Sequence, residues 1–291
     1  MAILLDENSQ VVIQGITGKY AANQTKSMLT YGTKIVGGVS PGKSGTEVHG
    51  IHVFDTLAEI ASSRKVDASI IYTSAPNVLQ AVTEAIESGV KLIVIPTEFI
   101  PVHDTMIIRK MAKEQGVWIV GPNCLGMISP GKSLLGTLSP EYTIPGNVGV
   151  ISRSGTLSLE VVRTITEAGL GQSTCISIGG DMVLGNNPID YLKAFEKDPE
   201  TDIIVMLGEI GGMKEYEAAE YIKTMKKPVV SFIVGKSAKP GRRMGHIGAI
   251  VSGGADTAEN KINCLQNAGV QIADTPWDIP RLIKERLQKQ S

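Results

Sequence analysis

Residues 10–18 read QVVIQGITG and residues 34–45 read KIVGGVSPGKSG. Each begins as a short apolar run and stops at glycine, which is how a buried strand ending in a turn is written. Residues 68–72, 91–96 and 117–120 are further runs of the same kind. Between them the period changes. Val78, Leu79, Val82 and Ile86 share one helical face, with Glu84 and Glu87 off it. Strands that alternate with amphipathic helices predict a parallel sheet covered on both faces. Right-handed crossovers then give a Rossmann-like α/β domain with ligands at the carboxyl ends of its strands.

The alternation resumes further on. Residues 148–152, 172–178, 202–207 and 228–234 read as strands. Leu157, Val161 and Ile165 form one helical stripe, and Ala218, Tyr221, Ile222 and Met225 form another. Two last helices are expected over 257–268 and 279–288. A flavodoxin-like second domain is the economical reading. The stretch 126–147, GMISPGKSLLGTLSPEYTIPGN, is rich in glycine, proline and serine. It is expected to be a linker between a first domain over 1–125 and a second over 148–291.

Composition excludes several function classes. The 291 residues suffice for two such domains. A net charge of −1 and 4% aromatic residues argue against nucleic-acid binding and base-stacking platforms. No apolar run reaches ~18 residues, so no membrane span is expected. The start, MAILLDENSQ, carries acids where a secretory signal has basic residues. Cys124, Cys175 and Cys264 are too scattered to form a metal-ligand pair. A reducing, cytoplasmic setting follows as the expectation.

Three turns are candidate anion sites. Gly15 to Gly18, after the first strand, can bring backbone amides to a phosphate, but an ordinary tight turn explains them equally well. Residues 37–44 match GxxxxGK[ST] literally. No helical stripe follows Ser44, so the phosphate-loop context fails and Lys43 is either a phosphate contact or a solvated loop lysine. Ser154, Gly155 and Thr156 open a helix, as an N-cap or as an anion site. The strand ends at residues 72–76, 96–98 and 121–124 are expected along the same sheet edge.

Of the four histidines, His49, His52 and His103 have bland settings. His246 lies between glycines in RRMGHIGAI, residues 242–250. Small neighbours leave an imidazole open to a large group, and Arg242 and Arg243 can offset phosphate charge. An imidazole is a competent nucleophile when an acceptor holds its other nitrogen. Glu209, at a strand end in LGEIGG, is a suitable acceptor.

Together YGTKIVGGVSPGKSG, GPNC, ISRSGTLS, SIGGD, FEKDPET, GEIGG and RMGH–GAI resemble the alpha-subunit family of succinyl-CoA synthetase (succinate–CoA ligase), over essentially the whole chain. The resemblance implies a CoA-binding Rossmann-like domain and a flavodoxin-like ligase domain. It implies that His246 is transiently phosphorylated and steadied by Glu209, with Ser154 and Gly155 as a helix-end phosphate site. It also implies CoA contacts from Thr17, Gly18, Pro41, Lys43, Tyr72 and Glu98, with Asn123 and Cys124 near the thiol. A beta subunit would supply ATP or GTP and Mg²⁺. The chain departs from the family at residues 19–26 (KYAANQTK), at Met182 and at Leu125-Gly126, where relatives usually carry proline before the glycine. Succinate is therefore the first expectation for the acid, with malate or citrate as alternatives and a non-enzymatic CoA sensor as the rival class.

Overall fold

The computed structural model describes residues 3–238, 244–251 and 253–289. The first half runs β1 (Gln10–Gln14), α1 (Lys19–Tyr31), β2 (Lys34–Val39), β3 (Glu47–Val48), β4 (Ile51–Phe54), α2 (Leu57–Ala61), β5 (Ala68–Ile71), α3 (Val78–Glu87), β6 (Leu92–Val94), α4 (Val102–Gln115) and β7 (Trp118–Val120). The sheet order is β3-β4-β2-β1-β5-β6-β7. All pairs are parallel except the β3–β4 hairpin. With β3 set aside, the strands run 3-2-1-4-5-6 in chain order, the Rossmann arrangement, whose crevice opens between β1 and β5.

The second half runs β8 (Gly126–Ser129), β9 (Ser133–Gly136), β10 (Pro145–Ser152), α5 (Gly155–Glu167), β11 (Gln172–Ser177), α6 (Pro188–Lys197), β12 (Ile203–Glu209), α7 (Lys214–Ile222), β13 (Val229–Val234), α8 (Ala258–Asn267), β14 (Gln271–Ile272) and α9 (Ile279–Gln288). Its order is β14-β13-β12-β10-β11-β8-β9. The five parallel strands follow the flavodoxin order 2-1-3-4-5, with an antiparallel hairpin added beside β11.

That hairpin corrects the linker expectation. Gly126–Ser129 and Ser133–Gly136 are strands of the second sheet, buried along their length. Their backbone groups pair with β11 and with each other. The hairpin also reaches the first half, where Thr33 Oγ1 donates to the Leu134 carbonyl at 2.7 Å and Ser129 Oγ to that of Leu5 at 2.7 Å. Glycine and proline there serve tight turns rather than a loose tether. One apolar cluster joins residues of both halves, including Ile13, Ile70, Val94, Met127, Val150 and Leu207. A second lies between the first sheet and the helices α2, α3 and α4. Among the described residues no helix is long and apolar enough to cross a membrane.

Candidate active site

The carboxyl ends of the two sheets meet around a cavity of about 560 Å³. From the first half come Tyr20, Tyr72, Pro96, Thr97, Glu98, Phe99, Asn123, Cys124 and Leu125. The second half contributes Gly155, Thr156 and Leu159 of α5, and Gly245, His246 and Ile247. Tyr72, Glu98, Asn123, Cys124, Gly155 and His246, all expected as site residues from the sequence, thus line one cavity.

Glu209, the last residue of β12, is 3% exposed and stands directly behind His246. Its Oε2 is 2.7 Å from His246 Nδ1. That contact leaves Nε2 as the nitrogen for the cavity, and the imidazole is 29% exposed, enough to be reached. The hydrogen bond to Glu209 raises the His246 pKa above its ordinary 6.5, against burial and the nearby Arg153 charge. Glu209 Oε1 in turn lies 3.3 Å from Arg153 Nη1 with both side chains buried. The geometry of that ion pair is off the line of a hydrogen bond, and Oε1 has no hydrogen-bond partner among the described residues. Arg153 Nη2 donates to the Asp181 carbonyl at 3.0 Å, and Asn123 Nδ2 donates to Asp181 Oδ1 at 2.9 Å. A chain of polar contacts therefore runs from the imidazole through Glu209, Arg153 and Asp181 to Asn123.

Gly180 explains how the ring is seated. A Cβ built there would come within 2.6 Å of His246 Cγ, so only glycine lets the backbone lie against the imidazole face. In Gly180→Ala the ring must turn away from Glu209. We expect the His246 titration midpoint, followed by NMR, to fall toward the ordinary 6.5 in this variant, since the hydrogen bond to Glu209 that raises it is lost.

Ser154 caps α5, its Oγ accepting from the Leu157 amide at 3.3 Å. The next residues, Gly155 and Thr156, face the cavity with the first-turn amides that an α-helix leaves unpaired. The helix end and the imidazole thus open onto the same space.

Thr17, Gly18, Pro41 and Lys43 do not line this cavity. They gather at a neighbouring corner, where Thr17 Oγ1 donates to Ser40 Oγ at 3.0 Å, tying α1 to the loop after β2. The amides of Gly15 and Ile16 are spent on the Val39 carbonyl, and that of Gly18 on Gly15. The turn itself is therefore no phosphate cradle, and the open donors are those of the first turn of α1. Gly15, with φ +79°, holds a conformation that keeps its Cα against the Tyr72 backbone. After β2 the chain enters the β3–β4 hairpin and no helix, so the literal GxxxxGK[ST] match has no phosphate-loop structure. Instead the amides of Gly42, Lys43 and Ser44 all point at Asp55 Oδ1, at 2.7, 3.2 and 3.1 Å. Lys43 is exposed at the tip of that preformed loop.

Tyr20 connects corner and cavity. Its ring meets Tyr72 edge-on at 5.7 Å. The Tyr72 hydroxyl and Thr73 Oγ1 are buried and lack hydrogen-bond partners among the described residues, and burial pushes the Tyr72 phenol well up. Cys124 Sγ rests against the carbonyls of Ile95 and Val120 at 3.4 and 3.5 Å. Burial raises its thiol to about 12. Buried and held as a thiol, Cys124 should react slowly, so we expect iodoacetamide to label half-buried Cys264 well before it, as peptide mapping would show.

Sequence reasoning missed Arg153, Asp181, Lys214, Glu215 and Lys261. Lys214 Nζ donates to the Met182 carbonyl at 3.1 Å, and burial, then the Arg153 charge, lowers it to about 7. Glu215 and Lys261 left a readable sign. Glu215 stands three, four and seven residues before Ala218, Ala219 and Ile222, hence on the buried stripe of α7. Lys261 stands likewise between Ala258 and Leu265 in α8. Leu125 lines the cavity, whereas the Met182 side chain is exposed. Arg242 and Arg243 lie outside the described residues.

Comparison with known proteins agrees with this layout. Residues 6–99 match the family described as CoA binding domain, and residues 151–271 the family described as CoA-ligase. The chain is 49% identical over 287 residues to the Archaeoglobus fulgidus "Succinate--CoA ligase [ADP-forming] subunit alpha 2", covering 99% of this chain and 100% of that protein. It is 48% identical over 280 residues to the Staphylococcus aureus "Succinate--CoA ligase [ADP-forming] subunit alpha", covering 96% and 93%. Among solved structures, a Methanosaeta concilii ATP citrate lyase mutant in complex with (3S)-citryl-CoA superposes with a TM-score of 0.91 at 22% identity. That match covers 97% of this chain and 50% of the lyase, and carries the fold alone. With two relatives near half identity over nearly its whole length, the chain belongs to the family of succinate–CoA ligase alpha subunits.

Proposed function

We propose that the chain works with a beta-type partner as a succinate–CoA ligase whose His246 carries the phosphoryl group. The observation that carries this reading is the imidazole itself. Its Nδ1 is engaged by buried Glu209 at 2.7 Å, and its Nε2 is turned to a cavity shared with the amino end of α5. Nε2 attacks the terminal phosphorus of a nucleoside triphosphate presented by the partner; the N–P bond forms and the diphosphate leaves. Glu209 keeps the Nδ1 proton and offsets the positive ring. A substrate carboxylate oxygen then attacks phosphorus and the N–P bond breaks, yielding an acyl phosphate. The CoA thiolate attacks the acyl carbon and inorganic phosphate departs. The α5 amides steady phosphate charge throughout by position rather than by covalent chemistry.

CoA fits the two groups of residues on either side of Tyr20. Lys43, Pro41, Thr17 and Gly18 suit the nucleotide end. Tyr72 lies between the two groups, and Asn123 and Cys124 suit the thiol end, with Glu98 lining the same cavity. Cys124, its thiol buried against the Ile95 and Val120 carbonyls, suits a packing role there. Partner docking is supported by exposed apolar side chains on the loops that carry the site: Phe99, Met182, Met213, Met244 and Ile250. The triphosphate and Mg²⁺ are assigned to the partner.

Incubation with the natural partner and γ-labelled ATP, then with a panel of acids and CoA, tests the reading. Acid-labile label on this chain, discharged by succinate and CoA, is the expected result. Label discharged only by malate or citrate would replace the acid, and GTP succeeding where ATP fails would replace the nucleotide. No label with either nucleotide would leave a CoA-binding protein without this activity.

A further inference from the structure

Behind the imidazole and its carboxylate lies a second, fully buried charge pair. Lys261 is 0% exposed and Glu215 1%. The lysine comes from α8 and the glutamate from the first turn of α7. Three acceptors match the three hydrogens of the ammonium. They are the Glu209 carbonyl at 2.8 Å, the Gly211 carbonyl at 2.6 Å, and Glu215 Oε2. Glu215 Oε1 also faces the Glu209 amide, at 3.5 Å. The pair therefore grips the main chain of Glu209 from both sides where β12 leaves the sheet.

A buried pair of this kind is a weak source of stability, because its desolvation is costly and an apolar pair of similar volume often does as well. Its placement points elsewhere. We propose that Lys261, anchored by Glu215, is a positioning residue for the His246–Glu209 pair. By fixing the backbone over 209–211 it aims the Glu209 carboxylate at Nδ1 and holds the 2.7 Å contact. The groups facing the imidazole are Glu209, Arg153 and Asp181, so Lys261 acts on the ring through Glu209 and not as a neighbouring charge.

The kinetic part of this inference rests on the ligase reading, whereas the structural part does not. Lys261→Met/Glu215→Leu removes both charges at once, leaving neither buried alone, and frees both carbonyls. NMR titration of His246 in the full chain should show its midpoint falling toward the ordinary 6.5. Phosphorylation with the partner should slow by about tenfold to a hundredfold, in keeping with a loss on the order of 10² per 1 Å of misplacement, while CoA binding is unchanged. A purely structural pair would lower thermal stability and leave the titration where it was. That outcome in a folded variant overturns the proposal. Glu215→Gln keeps the side-chain shape and an acceptor for the ammonium, and should shift the midpoint in the same direction by less. Should the double variant not fold, an unmoved midpoint in Glu215→Gln overturns the proposal. The titration needs no phosphoryl donor, so its failure is distinct from a failure of the ligase reading.

Discussion

His246→Asn is expected to abolish acid-labile labelling and to lower turnover by on the order of 10⁴ or more, with CoA affinity within about twofold of the parent. The size follows from chemistry. An amide nitrogen has no available lone pair, so the N–P bond cannot form, and direct attack of a weakly nucleophilic carboxylate on the triphosphate is all that remains. The selectivity follows from geometry. The asparagine amide can still donate to Glu209 Oε2, which now lies 2.7 Å from Nδ1, so the buried carboxylate keeps a partner. Residues assigned to CoA are carried by the other half of the molecule. A His246→Asn protein that labels and turns over like the parent would remove the phosphohistidine from the mechanism. Phosphate release and labelling, measured with the partner present, read both quantities.

Glu209→Gln should be the next most damaging change, with losses of about 10² or more in phosphorylation rate. Glutamine keeps the shape but loses the charge that stabilises a cationic ring, and its amide can present the wrong group to Nδ1. The buried Arg153 also loses its ion partner at 3.3 Å. Removing one member of a buried pair costs about 3–5 kcal/mol, and the low end applies because the arginine retains the Asp181 carbonyl.

The pH dependence has a definite sign. The folded-state pKa of His246 lies above its ordinary 6.5. The stability contributed by the protonated ring is therefore fully present below about 6.5 and is lost as pH rises through the higher folded value. The stability deficit of Glu209→Gln should then be largest in acid and shrink toward alkaline pH. The phosphorylation rate, which needs the Nε2 lone pair, should rise with pH through the folded midpoint in the parent, and through a lower midpoint in the variant. Thermal denaturation and single-turnover labelling across pH 5 to 9 would show both trends. An unchanged midpoint would mean that Glu209 does not set the ionisation of the ring.

What could be read along the chain was local. Apolar runs ending at glycine marked β1, β2 and β12, an apolar run before Arg153 marked β10, and α9 falls on the stretch expected, Ile279–Gln288. Such patterns report which face of an element is buried, and neighbouring residues suffice to write them. The same locality explains the error at Gly126–Gly136. A composition of turn residues suggests loops, and nothing within the segment says that its backbone pairs with β11, some fifty residues later.

The sequence alone determined two α/β halves, a Rossmann-like order of elements, and an accessible histidine between glycines with a strand-end glutamate as its candidate partner. Tertiary structure decided the contacts. Glu209 and His246 are 37 residues apart, Arg153 is further still, and Lys261 grips Glu209 from 52 residues downstream. These residues meet because β10 and β12 are adjacent in the sheet and α7 and α8 pack together behind their ends. Which strands lie side by side is settled by burying the whole core at once, a long-range condition that no window of sequence contains.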